Sequence, residues 1–426
     1  VNEVPLTHQI RRSNVFTLVS LLEKLNISSE TAHIKDHKQT IKLKIENYLQ
    51  EFDVLLFSGA VSKGKYDFFI FQNNMPLNST KKNTTPKNVI FLISDGTGLS
   101  QISSAFYFKE TPSNYQRFQT IGLIKTSSSR EDVTDSAAGA TAFAAGVKTY
   151  NGAIGVADDS TKVKNLVEIV SSKNIKTGMI ATSSITHATP ASFYAHVISR
   201  DFQEEIAVQL AESDIDFFAG GGLQFFNNRK DKQNILNTLT RNNFTIDTIG
   251  LTNLSTITNN EKMAYLLAND GMDRILEGRG DFLPKATELG MQYLSKDNQP
   301  FFLMSEGSQI DWGGHDNDAP YLVSELIDFD DTIGKVLDFA EQDGNTLVIV
   351  TSDHETGGFT LASKKKYSTD GEEYNDYKEI EMTFSTKGHS ASLIPVFAYG
   401  PGAEEFSGIY DNTDIFTKIM KVTKWE

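Results

Sequence analysis

The 426-residue chain contains no cysteine. That absence excludes disulfide bonds, thiolate metal ligands and a cysteine nucleophile, and it leaves the redox compartment open. The sequence also lacks any run of about 18 apolar residues, so we expect no membrane-spanning helix. No signal peptide is visible at residue 1. A secreted protein in its mature form and a cytoplasmic protein would both look like this.

Positive charge is scarce as well. Lysine and arginine number 40 against 55 aspartate and glutamate residues, which gives a formal net charge of -15. We therefore expect no specific binding of nucleic acid, because that requires a concentrated basic face. An acidic enzyme can still act on phosphate where metals and a local arginine reverse the field at the site.

Apolar runs of strand length recur along the chain and alternate with helical patterns. The apolar runs are 88–94, 177–182, 300–305, 346–351 and 394–399, and the helical patterns include 162–173 and 321–342. Continuous apolar strands are typical of a parallel sheet that is buried on both faces. The pattern predicts an α/β fold, a three-layer sandwich around a mostly parallel central sheet. Two polar stretches, 227–281 and 364–381, are predicted to be insertions on this core, the second a surface hairpin or loop.

The stretch 72–87 is polar and rich in Asn, Thr and Lys, with two prolines, and it is the best candidate for a linker. It separates a large domain, 88–426, from a small partial α/β segment, 1–71. Within that segment, Thr7–Asn14 and Ser58–Asp67 resemble part of a molybdopterin-binding domain of molybdenum cofactor biosynthesis. The first strand of that family is missing, and Ala60 and Lys65 depart from its pattern. The resemblance therefore implies a truncated remnant.

The stretch Thr134–Ala142 (TDSAAGATA) places a serine directly after an acid and before small, helix-favouring residues. This pattern puts Ser136 in the first turn of a helix, where unpaired N–H groups and the helix dipole favour an anion. A serine is a poor nucleophile unless a base or a metal activates it. These features predict a metal-activated Ser136 that faces an anionic, phosphate-like substrate. The alternative is an alanine-rich helix that is simply well capped.

Ligand-type side chains follow nearly every predicted core strand. They are Asp95, the stretch 182–187 ending in His187, Glu306, and the pair Asp353 and His354. In sheets of this kind ligands bind at the carboxyl ends of the strands, so we expect these side chains to share one site. Asp353 and His354 can bind the same ligand only if the chain turns there, because the side chains of neighbouring residues in an extended strand point to opposite sides.

Asp311 and His315 are four residues apart, and one helical turn would place them side by side, as a divalent metal requires. Gly313 and Gly314 between them make a loop equally compatible, and a solvated acidic turn is the remaining alternative. His389 precedes a predicted core strand and could complete a site with this pair.

Glu306 and Thr189 offer hard oxygen atoms, which suit Mg²⁺ better than zinc. Arg200 offers the planar fork that binds a phosphate through two hydrogen bonds. The alternative for any single arginine is a surface ion pair.

From about residue 87 onward the chain resembles an alkaline phosphatase. Seven motifs in family order carry the resemblance: Asp95–Gly98, Asp135–Thr141, Val147–Gly152, Ala188–Ala191, Glu306–Asp311 with His315, Thr351–His354 and Gly388–Ser390. The resemblance implies one zinc held by Asp311, His315 and His389. It implies a second zinc held by Asp95, Asp353 and His354, with Ser136 at the open position, and a magnesium held by Asp95, Thr189 and Glu306.

The same resemblance implies hydrolysis of small-molecule phosphate monoesters, through a phosphoserine formed on Ser136 and with an alkaline optimum. Arg200 would clamp the phosphate, and Asp135, His187 and Trp312 would contribute to substrate binding. His187 stands near the magnesium where some family members have aspartate, so it could admit a third zinc or weaken the binding of magnesium. A homodimer and a periplasmic or secreted location are further implications of the resemblance. The alternatives are a phosphodiesterase or sulfatase with the same metal core, and a non-catalytic protein that binds molybdopterin or phosphate.

Overall fold

The computed structural model describes residues 85–251 and 261–425. The molybdopterin-like segment, 1–71, and most of the predicted linker lie outside the described residues. The first strand, β1, begins at Asn88.

The described elements alternate between strands and helices for most of the chain. The strands are β1 (Asn88–Ser94), β2 (Thr120–Lys125), β3 (Lys176–Ser184), β4 (Phe217–Gly221), β5 (Phe244–Asp247), β6 (Lys262–Leu266), β7 (Phe301–Gly307), β8 (Thr346–Thr351), β9 (Glu355–Thr356), β10 (Thr360–Tyr367), β11 (Glu373–Thr383), β12 (His389–Ser390), β13 (Ile394–Tyr399) and β14 (Gly408–Asp411). The α-helices are α1 (Leu99–Phe108), α2 (Ser136–Ala145), α3 (Leu166–Ser171), α4 (Ala188–Ala191), α5 (Gln203–Glu212), α6 (Gln224–Asn227), α7 (Leu236–Arg241), α8 (Phe282–Leu294), α9 (Gln309–Asp316), α10 (Ala319–Asp343) and α11 (Asp414–Thr423).

Ten of the described strands form one twisted central sheet in the order β14-β2-β13-β8-β1-β7-β3-β4-β6-β5. All neighbours in it are parallel except β13, which runs antiparallel to β2 and β8. The apolar strands β1, β7 and β8 lie side by side near the middle, so their carboxyl ends meet at one edge. The ligand-type residues that follow them are thereby brought to one place.

Both faces of the sheet are covered by helices, and alternate residues of each central strand enter opposite cores. In β1, Val89, Phe91 and Ile93 pack on one side, whereas Ile90 and Leu92 pack on the other. The first core also takes residues from α2, α3, α5, α7 and α11, and the second takes residues from α1, α8, α9 and α10. The predicted three-layer α/β sandwich is confirmed, because the central strands are buried against an apolar core on both faces.

The five predicted strands are all present, and three of them, β1, β8 and β13, have the predicted bounds. The predicted helix 321–342 is the core of α10, and the stretch 364–381 lies in the antiparallel hairpin of β10 and β11. The prediction that 227–281 is an insertion was wrong. This stretch contributes β5 and β6, which pair with each other and extend the central sheet beyond β4. Strands this short and mixed in composition escape a search for long apolar runs.

Among the described residues, no helix is both long enough and apolar enough to cross a membrane.

Candidate active site

Ser136 is the first residue of α2, as the sequence predicts, and its side chain is almost completely buried. Asp135 is the N-cap, and its Oδ1 accepts a hydrogen bond of 3.0 Å from the backbone N–H of Ala138. The helix is therefore well capped, as the alternative interpretation holds. However, the Ser136 hydroxyl does not face solvent or the helix, because its Oγ lies 3.4 Å from His354 Nε2. The serine thus faces the carboxyl edge of the sheet.

The first group of candidate ligands consists of Asp95, Asp353 and His354, all fully buried at the ends of β1 and β8. Their ligand atoms lie within 4.8 Å of one another. His354 Nε2 is 3.3 Å from Asp353 Oδ2 and 3.7 Å from Asp95 Oδ1. The chain leaves its strand after Thr351, so both members of the adjacent pair reach the same space, as the sequence argument requires.

Donors among the described residues satisfy the buried carboxylates of this group only in part, since Asp353 Oδ1 accepts hydrogen bonds and Asp353 Oδ2 does not. Within the described part of the chain, neither carboxylate oxygen of Asp95 receives a hydrogen bond. Burial, together with the charges of Asp353 and Asp311, raises the pKa of Asp95 well above its usual range. Clustered buried carboxylates with free oxygens are costly unless they are paired or bind a cation. The donor set therefore fits a metal ion.

The second group is built around Asp311, on the first turn of α9. The ligand atoms of Asp311, His354 and His389 lie within 4.8 Å of one another. His315 joins them, because its Nε2 is 3.3 Å from Asp311 Oδ2 and 3.1 Å from His389 Nε2. The stretch is a helix rather than a loop, so the helical interpretation of the four-residue spacing is confirmed. The solvated alternative is wrong, since Asp311 is buried.

Two glycines of α9 make this arrangement possible. A Cβ on Gly313 would lie 2.7 Å from the backbone of Leu322, and one on Gly314 would lie 3.0 Å from Thr356. Any larger residue would push α9 away from α10 and from the strand that follows His354.

Glu306 and Thr189 are completely buried beside Asp95. Burial raises the pKa of Glu306 to about 7, against the lowering effect of the hydrogen bond from Ser308. The Ser308 hydroxyl donates to Glu306 Oε2 at 2.6 Å. The three predicted hard ligands therefore share one buried space, and their oxygen-only chemistry fits Mg²⁺.

Arg200 lies at the solvent side of the serine and is half-buried. Its Nη1 donates to Asp135 Oδ2 at 3.0 Å, and its Nη2 lies 3.2 Å from His187 Nε2. The arginine does form an ion pair, as the alternative holds, but its partner is the residue that precedes Ser136. The guanidinium is therefore held at the mouth of the site.

His187 and Trp312 line the same mouth, with ring centroids 6.1 Å apart in an edge-to-face contact. The surrounding protein, assisted by the Arg200 charge, lowers the pKa of His187 to about 3. The imidazole is therefore neutral at neutral pH, and it presents a lone pair or an N–H rather than a cation.

Two residues were not predicted as site residues from the sequence. The Thr356 hydroxyl donates to Asp311 Oδ1 and lies 3.2 Å from His354 Nδ1, so it connects the two candidate ligand groups. Asn151 bonds to the segment that leads into Ser136. Thr356 directly follows the Asp353–His354–Glu355 stretch and Asn151 lies in the motif Val147–Gly152, and neither pattern indicates a role for the side chain.

The comparisons with known proteins agree on one family. The family model for alkaline phosphatase matches residues 86–384 and 362–425. Alkaline phosphatase 3 of Bacillus subtilis is 32% identical over 417 residues, which cover 80% of this chain and 89% of that protein. The alkaline phosphatase of the Antarctic bacterium TAB5 is 67% identical, with a TM-score of 0.78, covering 80% of this chain and 99% of that one. A mutant of the TAB5 enzyme with Mg bound in its M3 site is 68% identical, with a TM-score of 0.79 and the same coverage.

Proposed function

The chain belongs to the alkaline phosphatase family and is a phosphatase, and from that premise we propose that it hydrolyses phosphate monoesters through a phosphoserine on Ser136. The observation that carries the proposal is the position of the Ser136 hydroxyl. It is buried at a helix N-terminus and faces two groups of carboxylates and imidazoles, the first of which contains carboxylate oxygens without hydrogen-bond donors in the described part of the chain. The surroundings of this serine suit activation by metal ions.

Asp311, His315 and His389 would hold one zinc, and Asp95, Asp353 and His354 would hold a second, with Ser136 at its open position. Asp95, Thr189 and Glu306 would hold magnesium. When bound, these ions supply positive charge that lowers the pKa of the serine hydroxyl and stabilises the charge on the leaving oxygen. The buried oxygen atoms of Asp95, Asp353 and Glu306 that receive no hydrogen bond from the described residues support this assignment.

The residues of the chain then have separate tasks. Ser136 Oγ forms a bond to phosphorus while the bond to the ester oxygen breaks, and the alcohol leaves with a proton. Water then cleaves the phosphoserine to give inorganic phosphate and restores the hydroxyl. Arg200 binds phosphoryl oxygens through its planar fork in both steps, and Asp135 holds that fork in place. A monoester has one more negative charge than a diester, and this extra charge is what the arginine matches.

Metal depletion tests the proposal directly. We expect rapid hydrolysis of a chromogenic phosphate monoester at alkaline pH with zinc and magnesium, and loss of that activity after treatment with EDTA. The melting temperature should fall as well, because a ligand that binds only the folded state stabilises it. Readdition of both metals should restore both properties.

The alternatives are outcomes of the same experiment. Faster turnover of a diester or a sulfate ester than of the monoester would contradict the proposal in favour of a related hydrolase. A folded, zinc-loaded protein without turnover would favour a binding protein.

We also propose a homodimer, in which the exposed face of α1 contacts a second copy of the chain. Four large apolar side chains of this helix are exposed: Leu99 (55%), Phe106 (51%), Tyr107 (65%) and Phe108 (38%). Large apolar side chains that are exposed together on one short helix favour an interaction site on a soluble protein.

Phe106→Glu should therefore shift the protein from dimer to monomer in light scattering after size-exclusion chromatography. Tyr377→Glu, at an exposed aromatic position on the β10–β11 hairpin, is the matched control and should leave the mass unchanged. A monomeric wild type, or a dimer that survives Phe106→Glu, would refute this interface.

A periplasmic or secreted location remains our proposal, and family membership supports it. Phosphatase activity found only in the cytoplasmic fraction of cells that express the whole gene would contradict it.

A further inference from the structure

The short segment Val133–Asp135 connects three parts of the site. It leads directly into Ser136 at the start of α2. The backbone carbonyl of Thr134 lies 2.8 Å from His389 Nδ1. The carboxylate of Asp135 accepts the hydrogen bond from Arg200. A shift of this segment would therefore move the serine, the histidine and the arginine together.

The contact with His389 also sets the state of that ring. A carbonyl oxygen only accepts hydrogen bonds, so Nδ1 must carry the proton. In the neutral ring Nε2 then has its lone pair free, and it points to the group formed with Asp311 and His315. Orienting contacts of this kind are what keep a histidine ready to bind a metal.

Asn151 holds the segment from its other side. The side-chain amide donates from Nδ2 to the Val133 carbonyl at 3.0 Å, and its Oδ1 accepts the Asp135 N–H at 3.1 Å. One planar amide thus bonds the two backbone groups that flank Thr134, as a residue of a neighbouring strand would do. This keeps the segment extended up to the N-cap.

The next residue, Gly152, continues the same connection. Its N–H donates to Asp135 Oδ2 at 3.0 Å, and its carbonyl accepts the Arg200 N–H at 2.7 Å. Gly152 has a φ of +87°, which a glycine adopts without strain. The two residues 151 and 152 therefore fix Asp135 and Arg200 relative to each other through three hydrogen bonds.

We infer that Asn151 is a positioning residue, which sets the place of Ser136 and the orientation of His389 and, through Gly152, the place of Arg200. The inference rests on the roles proposed above for those three residues. Asn151 itself touches neither the serine nor the candidate ligands. It is half-buried, whereas every residue of α2 is buried.

Asn151→Ala and Asn151→Asp test the inference. Alanine removes both side-chain hydrogen bonds, and we expect kcat to fall by about 10- to 100-fold, since a misplaced reacting group costs this much. The inhibition constant of inorganic phosphate should rise several-fold, because Arg200 loses its fixed place. Zinc affinity, measured by competition with a chromogenic chelator, should weaken as His389 loses its orientation. Aspartate still accepts the Asp135 N–H but donates nothing to Val133, so it should give intermediate values.

Asn165→Ala is the matched control. Asn165 caps α3 by accepting the Glu168 N–H at 3.0 Å, and α3 contributes no candidate ligand to the site. Its loss should lower the melting temperature and leave kcat, phosphate inhibition and zinc affinity unchanged.

A folded Asn151→Ala protein with wild-type values of all three quantities would overturn the inference, and so would equal losses in Asn165→Ala. If the alanine variant fails to fold, Asn151→Asp decides by the same measurements. Absence of turnover in the wild type would instead count against the proposed function.

Discussion

Ser136→Ala is expected to lower kcat for a phosphate monoester by about 10³- to 10⁶-fold, the range seen when an enzyme loses its nucleophile. The lower bound applies if water takes the place of the hydroxyl and attacks the phosphorus directly. The fold should persist, because alanine is smaller than serine and the next residues of α2 are already small and buried. Metal content should persist as well, since the carboxylates and imidazoles remain.

The measurement is steady-state turnover together with trapping of the intermediate. Acid quenching during turnover of a labelled monoester should leave phosphate on the wild-type protein and none on the variant. Ser172→Ala removes a hydroxyl from the exposed end of α3 and should behave as the wild type. Label retained in Ser136→Ala, or activity close to that of the wild type, would show that another group attacks the phosphorus.

The second large effect concerns stability. Arg279→Leu should lower the free energy of unfolding by about 3–5 kcal/mol, the usual cost of removing one partner of a buried ion pair. The guanidinium of Arg279 is 1% exposed, and it bonds to the carboxylates of Glu325 and Asp328, which are 2% and 7% exposed. Both acids lie on α10, so leucine would leave two buried carboxylates without their cation.

The pH dependence of this loss has a definite sign. Even beside the arginine, burial raises the pKa of Asp328 to about 7, and it also raises that of Glu325. An acid whose pKa is higher in the folded protein than in the unfolded protein makes its full contribution to stability at a pH below the unfolded-state pKa. This contribution is lost as the pH rises through the folded-state pKa. Without the Arg279 guanidinium, the pKa values of Asp328 and Glu325 rise further, because its positive charge lowers both. The deficit of Arg279→Leu should therefore be small in acid and grow towards alkaline pH.

Denaturant unfolding of the metal-free protein at several pH values provides the measurement. Arg241→Leu, at an exposed arginine that bonds Thr238, should change the free energy of unfolding by less than about 0.5 kcal/mol. Replacing Arg279, Glu325 and Asp328 together by leucine should recover most of the loss, because no unpaired charge remains. A loss that is independent of pH, or one that the triple variant does not recover, would refute the electrostatic explanation.

This triad also supports one wall of the site. Arg279 ends a loop in which Gly271 packs against the Trp312 ring and the Met272 carbonyl accepts a hydrogen bond of 2.7 Å from Gln309. The same loop donates its Ile275 N–H to Glu325 at 2.9 Å. The buried charges therefore fix the loop on α10, and through it the position of Trp312.

The candidate ligands could be found from the sequence because they follow strands. An apolar run such as 346–351 has to be buried on both faces, and its end at the edge of a parallel sheet is where Asp353 and His354 become available. The same reasoning placed Asp95 and Glu306. This reasoning failed for β5 and β6, because both strands are short and their place at the edge of the sheet depends on the pairing of β6 with β4.

What the sequence determined by itself was local: which stretches form strands, that Ser136 begins a helix, that Asp311 and His315 share a helical turn, and which family the motifs resemble. These features depend on periodicity, capping and spacing within a few residues. Only the tertiary structure decided that His389 meets His315 and that Arg200 pairs with Asp135. It also decided that Asn151 holds the segment before the nucleophile. Such contacts join residues far apart along the chain, and the packing of helices on a ten-stranded sheet brings them together.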